Sequence, residues 1–504
     1  MRYFGFFISC LMLSGCHQLQ EESATGGHDL SELKARGDDY VSTNAREYVI
    51  SGRTTATLPE NYSELLGEEK GKALQDAVDR HLVFASRSIR RHIDDVLRGL
   101  NNGVTGEKAP YFTYYRRKDI TFSQNITPID ETQVAFDFEI DLVGSVYLMS
   151  KLSPSTSSRR TFDVKIAEYP GGPSTTTTVE IKGSEAKDAF PRYAEMFADG
   201  VLDMGIHFGG DYNEGRFDLE TAKWLVGMLV EDEWTHPTVK KFEDLTIDSG
   251  PFSRTLSIEG REVTVEIYIT HSDMVEETEE HKLSDAIKKS MAERDIVMYS
   301  GHAGENAGFI MDYQPRHQIA ATEFANLKMA DKYQIYLLDG CRTYRTYVRD
   351  IMANPSKTFD NLDMVTTINT TPFSAGFQLI WEMVYWLTLT NDAGAHLPLS
   401  WKAILRGVNR PSFKSVHYGV HGIGSNPQLN PHGSDDISCS PCTQDSDCGS
   451  GGNMCLGYPS GASCGVACTN DTACGEGFRC ARLVDDPKLF YLPKQCVRRD
   501  YVCQ

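Results

Sequence analysis

At 504 residues the chain is longer than one ordinary hydrophobic core sustains, so two or three domains are expected. Its 50 Lys and Arg against 70 Asp and Glu give a formal net charge of −20. That excludes a nucleic-acid partner, which must be met by clustered cations.

Taken in chain order, Arg2 and the apolar run from Phe4 to Leu13 read as an export signal. The run ends in Leu13-Ser14-Gly15-Cys16, which resembles a bacterial lipobox. The resemblance implies a signal peptide over 1–16, cleavage before Cys16 and lipidation of its thiol. The protein would then be lipid-anchored in the cell envelope. His17, where an acidic residue would retain the protein at the inner membrane, directs it to the outer membrane, facing the periplasm or the exterior. Residues 17–45 are polar and aperiodic and read as a flexible tether.

Residues 46–250 read as an α+β domain of unknown role. Leu74, Val78, Leu82, Ala85, Ile89, Ile93 and Leu97 recur at helical spacing between Glu69 and Leu100, and Asn101-Asn102-Gly103 closes the run. His81 and His92, on or near that stripe, read as structural. Val134, Phe136, Phe138, Ile140 and Leu142 alternate with polar residues, as a half-buried strand requires. A hairpin follows, with Phe162, Val164 and Ile166 facing Val179 and Ile181, and then helical stretches near 186–198 and 219–229.

Residues 251–425 alternate strands with helices: Val263 to Ile269, Leu283 to Glu293, Ile296 to Tyr299, a loop and short helix to about Lys332, Ile335 to Leu338, a helix over 342–353, and Met364 to Ile368. This order predicts a mostly parallel α/β sheet with helices on its faces. The apolar run from Ala375 to Leu389 contains Gln378 and Glu382 and is too short to cross about 30 Å of hydrocarbon, so it reads as a buried helix, with another from Trp401 to Arg406.

After a linker over 426–438, residues 439–504 hold Cys439, Cys442, Cys448, Cys455, Cys464, Cys468, Cys474, Cys480, Cys496 and Cys503. The segment from Cys442 to Gly449 is echoed from Cys468 to Gly475, 26 residues later. An even set of ten in an oxidising compartment predicts five disulfides of open connectivity. The absence of histidine beside Cys439-x-x-Cys442 argues against zinc, and no metal site is expected. This arithmetic leaves Cys341 outside the tail set.

Two apolar runs break off into reactive residues: Ile296 to Tyr299 into Ser300-Gly301-His302-Ala303-Gly304, and Ile335 to Leu338 into Asp339-Gly340-Cys341-Arg342-Thr343. Active sites in open parallel sheets form beyond the carboxyl ends of the strands. A thiolate is a nucleophile, and an imidazole can take its proton and return one to a leaving amine. A helix starting just after Cys341 would lower the thiol pKa further. This pair of motifs resembles the caspase-like cysteine peptidases, the superfamily of caspases, metacaspases, clostripain and gingipains. The resemblance implies a caspase-like fold, a His302–Cys341 catalytic dyad, and an oxyanion hole from the backbone of Cys341 with Ala303 or Gly304. It also implies Asp339 as a substrate-binding carboxylate that selects Lys or Arg at P1, the alternative being a cap on the following helix. Gly301 and Gly340 would admit the substrate backbone. Ala303 departs from the family, which places Gly directly after the histidine. His421-Gly422 follows Cys341, the wrong order for that dyad.

The leading expectation is therefore a lipid-anchored, extracytoplasmic cysteine endopeptidase acting on a protein or peptide substrate. The other is an inactive caspase-like scaffold that binds a protein partner through its N-terminal and cysteine-rich domains. No cofactor is implied by the residues; calcium enters only by analogy with the family, without a ligand pattern in the chain.

Overall fold

The computed structural model describes residues 38–100, 114–116, 123–146, 148–153, 160–169, 171–184, 188–258, 260–304, 307–313, 316–390, 394–409, 416–425, 428, 438–448, 452–459, 461–475, 477–483 and 493–503. The expected signal peptide, Cys16 and the expected tether up to residue 37 lie outside them. Among the described residues no helix is long and apolar enough to cross a membrane.

The chain enters at β1 (Val41–Ser42) and passes directly into β2 (Ala45–Thr57). The expected tether is shorter than 17–45, because Asp38, Asp39, Tyr40 and Val41 are buried. After the long helix α1 (Gly67–Leu100) come β3 (Tyr114–Arg116), β4 (Ser123–Pro128), β5 (Gln133–Ser145), the short α2 (Leu148–Leu152), β6 (Arg160–Ala167) and β7 (Ser174–Gly183). Strands β2 to β7 make an antiparallel sheet with β5 and β2 paired along their full 13-residue lengths. The α1 stripe closes one face: Val78, Leu82, Ile89 and Ile93 share a core with Ile50, Phe136, Phe138 and Val164. His81 lies 3.2 Å from the Thr54 hydroxyl and His92 stacks on Phe162, so both serve this core.

The second body opens with α3 (Tyr193–Met196), β8 (Val201–Phe208), α4 (Phe217–Glu231), β9 (Phe252–Ile258), β10 (Arg261–Thr270), α5 (His281–Glu293) and β11 (Ile296–Ser300). A hairpin of β12 (Phe309–Tyr313) and β13 (Arg316–Ile319) precedes β14 (Gln334–Asp339), α6 (Thr343–Met352), β15 (Leu362–Thr367), α7 (Phe373–Leu387), α8 (Trp401–Val408) and β16 (Tyr418–His421). The large sheet runs β1-β16-β15-β14-β11-β8-β10-β9, with β15, β14, β11, β8 and β10 parallel. Every residue of β11 and β14 is buried, as expected for parallel strands covered on both faces. Alternate side chains feed two cores. Ile296, Met298, Ile335 and Leu337 meet α4, α7 and α8, while Val297, Tyr299, Tyr336 and Leu338 meet α5 and α6.

A boundary at 250 is thereby corrected: β8 sits between β11 and β10, well inside the large sheet. Its apolar pattern is interrupted by Asp203 and His207, yet the fold satisfies both. Asp203 accepts from the Asp295 N–H at 2.8 Å and pairs with Arg294, and His207 lies between Thr270 and Ser290 at 2.7 and 2.9 Å. The helix expected over 186–198 shrinks to α3. The run expected as a buried helix from Ala375 is α7.

The tail, β17 (Met454–Tyr458) with β18 (Gly461–Gly465), and β19 (Ala467–Cys468) with β20 (Phe478–Ala481) and β21 (Lys494–Arg498), holds five disulfides. The pairs are Cys439–Cys503, Cys442–Cys455, Cys448–Cys464, Cys468–Cys480 and Cys474–Cys496. The two sequence repeats thus carry matching bridges, and a small module with little apolar core is limited in its unfolded freedom instead.

Candidate active site

The registers of three parallel strands bring three loops to one point. Ser300 at the end of β11 faces Asp339 at the end of β14 on one side and Phe208 at the end of β8 on the other. Residues just beyond these ends line a small pocket: Gly301, His302, Asp339, Gly340 and Cys341, closed by Thr371, Pro372 and Phe373 after β15. His302 and Cys341, singled out in the sequence, therefore share a cleft.

His302 is fixed from several directions. Its Nε2 lies 3.0 Å from Asp211 Oδ1, and both side chains are nearly or fully buried. Tyr212 stacks on the imidazole at 4.4 Å between centroids, while Phe373 and Tyr313 meet it edge-on at 5.0 and 5.3 Å. The Tyr299 hydroxyl lies 3.0 Å from the His302 carbonyl and accepts the Ile310 N–H, tying the loop to the β12 hairpin. Asp211 in turn accepts from the Asn213 N–H at 3.0 Å and from the Phe217 N–H at 3.2 Å, where α4 begins. Burial pushes its carboxyl up, but the His302 and Asn213 hydrogen bonds together hold it below its ordinary value, so it is ionised at neutral pH.

Cys341 is half-buried, its Sγ 3.8 Å from the Thr371 carbonyl oxygen. Arg342 adopts a left-handed φ of 54° and donates its N–H to the Asn369 carbonyl at 2.8 Å, turning the chain sharply into α6. The helix expected after the cysteine thus begins two residues beyond it.

Asp339 is buried on the pocket wall. Its carboxylate accepts from the Ser300 and Tyr418 hydroxyls, each at 2.7 Å, and does not cap α6. Burial pushes this carboxyl up to about 6, against the pull of Tyr418 and Ser300. A Cβ on Gly376 of α7 would come within 2.5 Å of Asp339 Oδ2, so glycine lets the helix close directly over the acid.

Gly301 and Gly340 line the pocket, but their backbones also press on each other. A Cβ on Gly340 would stand 2.7 Å from the Gly301 carbonyl oxygen and 3.0 Å from Ala303 Cβ; one on Gly301 would stand 3.1 Å from Gly209 Cα. The glycines thus serve loop-to-loop packing as much as substrate approach. Ala303 is buried against Gly340, and neither it nor Gly304 is among the described lining residues. Of the expected oxyanion donors, only Cys341 therefore lines the pocket.

Sequence reasoning missed Asp211, although its signal is the same as at the other two strands. The run Ile206-His207-Phe208 breaks off into Gly209-Gly210-Asp211. His421 is set apart from this cleft: its Nδ1 meets Asp38 at 2.6 Å and its Nε2 lies 2.8 Å from the Thr366 hydroxyl. The chain matches no family model, no curated protein and no solved structure.

Proposed function

We propose that this protein is a cysteine endopeptidase of caspase-like type that cleaves after Arg or Lys and is lipid-anchored outside the cytoplasm. The observation that carries the reading is the single cleft holding Cys341, an imidazole backed by the ionised Asp211, and a buried carboxylate at Asp339. With Nε2 of His302 committed to Asp211, proton exchange with the cleft falls to Nδ1. In the reduced protein the Cys341 thiolate attacks the scissile carbonyl carbon. The resulting oxyanion is met by the Cys341 N–H, at the start of the turn into α6. Collapse breaks the C–N bond, His302 protonates the departing amine, and a thioester remains. His302 then deprotonates water, which attacks the thioester, releasing the carboxylate and restoring the thiol. Asp211 orients the ring and stabilises its protonated form. Asp339 offers a basic P1 side chain its charge complement.

A cysteine nucleophile acts as its thiolate, so the assay is run with a thiol reductant. Fluorogenic Arg and Lys peptides are hydrolysed by the reduced parent, and Cys341→Ala abolishes both turnover and labelling by a thiol-reactive probe at this site. Turnover retained in Cys341→Ala overturns the reading. The second reading, an inactive scaffold that binds a partner, draws on the close aromatic cover of His302. It is favoured if the reduced parent hydrolyses no peptide.

A further inference from the structure

Helix α7 begins in the pocket wall and leaves it with an aromatic residue on every turn. Phe373, Phe377, Trp381 and Tyr385 are spaced four apart and so lie along one face. The core face is formed by Leu379, Ile380, Met383, Val384 and Leu387, and Trp381 packs against its margin. Helix α4 adds two more rings to the same surface: Phe217 stacks on Phe373 at 6.0 Å, and Trp224 meets Phe377 and Trp381 edge-on at 5.7 and 6.5 Å. Phe217, Trp224 and Tyr385 are 38%, 38% and 39% exposed. Phe373, Phe377 and Trp381 between them are half-buried, and a partly exposed aromatic surface of this kind is a candidate interaction site.

Two observations say what occupies it. First, the surface is continuous with the cleft, because Phe373 both lines the pocket and touches His302. A peptide lying across the pocket runs onto the stripe without leaving protein. At 1.5 Å per residue the twelve-residue step from Phe373 to Tyr385 spans about 18 Å, the reach of about five residues of extended chain. Second, α7 contains no basic residue, and the one lysine of α4, Lys223, lies 3.6 Å from Glu243. An anionic membrane surface would require cations here.

We propose that the α7–α4 aromatic stripe extends the substrate cleft, binding apolar or aromatic side chains of the peptide within about five residues of the scissile bond. This rests on the peptidase reading and adds a second selection to it: charge at the scissile residue, apolar surface beside it.

The test uses the full chain, reduced, with three probes: a capped single-Arg fluorogenic amide that ends at the pocket, an Arg peptide with Leu and Phe flanks, and an Arg peptide with Gly and Ser flanks. The parent is expected to favour the apolar-flanked peptide over the Gly/Ser one by about 10-fold or more in kcat/KM. Trp224→Ala and Tyr385→Ala should each lower that ratio several-fold, with the single-Arg amide as the internal reference. Equal rates on the two flanked peptides, or a ratio unmoved by both variants, overturn the proposal. If the parent hydrolyses none of the three, the peptidase reading fails, and tryptophan emission decides the stripe independently. In Cys341→Ala the apolar-flanked peptide should shift that emission and the Gly/Ser peptide should not. No shift, or a shift caused by phosphatidylcholine vesicles and not by peptide, overturns it.

Discussion

Among the described residues, two histidine–aspartate pairs flank the large sheet, and they differ in what surrounds them. At the carboxyl ends of the parallel strands, His302 meets Asp211 at 3.0 Å. At the far edge, His421 meets Asp38 at 2.6 Å, the two side chains being fully enclosed. The second pair is more completely satisfied than the first. His421 Nε2 has the Thr366 hydroxyl, Asp38 Oδ2 accepts from the Tyr344 hydroxyl at 2.7 Å, and Tyr40 and Tyr344 pack on the imidazole. What it lacks among the described residues is an opening and a neighbouring nucleophile, both side chains being closed off from solvent. Its work is to fasten the incoming chain at 38–42 to β16, so that the antiparallel α1 domain starts from a fixed point. A His–Asp contact is therefore not evidence of a site by itself; the cleft, the thiol and the third carboxylate are.

The largest separation between the pairs is expected from His302→Ala. Loss of the general acid and base should reduce turnover of Arg peptides by about 10⁴-fold or more, measured as single-turnover hydrolysis in the reduced protein. Asp211→Asn keeps the shape of the loop but not the charge behind the imidazole. It should lower kcat by about 10²–10³-fold while KM moves little. Should kcat stay unchanged, the first pair is no more than a structural twin of the second. Asp38→Ala is the converse experiment. It leaves the buried imidazole of His421 without its acceptor, costing about 3 kcal/mol, read as a lower unfolding midpoint for the large-sheet domain. The kcat of the folded fraction is expected to persist; a loss of kcat without a loss of stability would place catalysis at the wrong pair.

The contrast also marks how far the sequence can be read. β11 and β14 are continuous apolar runs that break off into glycine and a reactive residue, because they are buried on both faces and nothing polar interrupts them. Their neighbour β8 obeys the same plan with Asp203 and His207 inside it, and these are tolerable only because Arg294, Thr270 and Ser290 reach in from other elements. Those partners are far away in sequence, so β8 escaped notice, and Asp211 beyond its end went with it. Similarly, Ser300 as a partner of Asp339 is local to the flagged motifs, whereas Tyr418 becomes its neighbour only when the antiparallel β16 folds back against β15. The tail cysteines announced five bridges by number, while their pairing depended on which backbone segments the strands brought together.

The smallest expected effect concerns Asp339, and it has an internal sign. Burial raises its carboxyl from the ordinary 3.8 to about 6, so in the folded protein it holds a proton between those values that the unfolded chain has lost. The stability contributed by that proton is full below about pH 4 and is lost as pH rises through 6, a difference on the order of 3 kcal/mol. Charge complementarity runs the other way: the carboxylate that would hold a basic P1 side chain exists only above about pH 6. The parent should therefore lose its preference for Arg over Leu peptides as the pH falls through that point. Asp339→Asn should lower the preference by about 10²-fold at pH 7.5, where only the parent carries the charge. The same substitution should raise the unfolding midpoint at pH 7.5 and bring the two proteins together near pH 4, because the ionisation cost disappears and the Ser300 and Tyr418 hydroxyls can reorient toward an amide. If instead the substitution lowers the midpoint at both pH values and leaves the Arg-to-Leu ratio intact, Asp339 belongs with Asp38, as an acid that fastens the sheet.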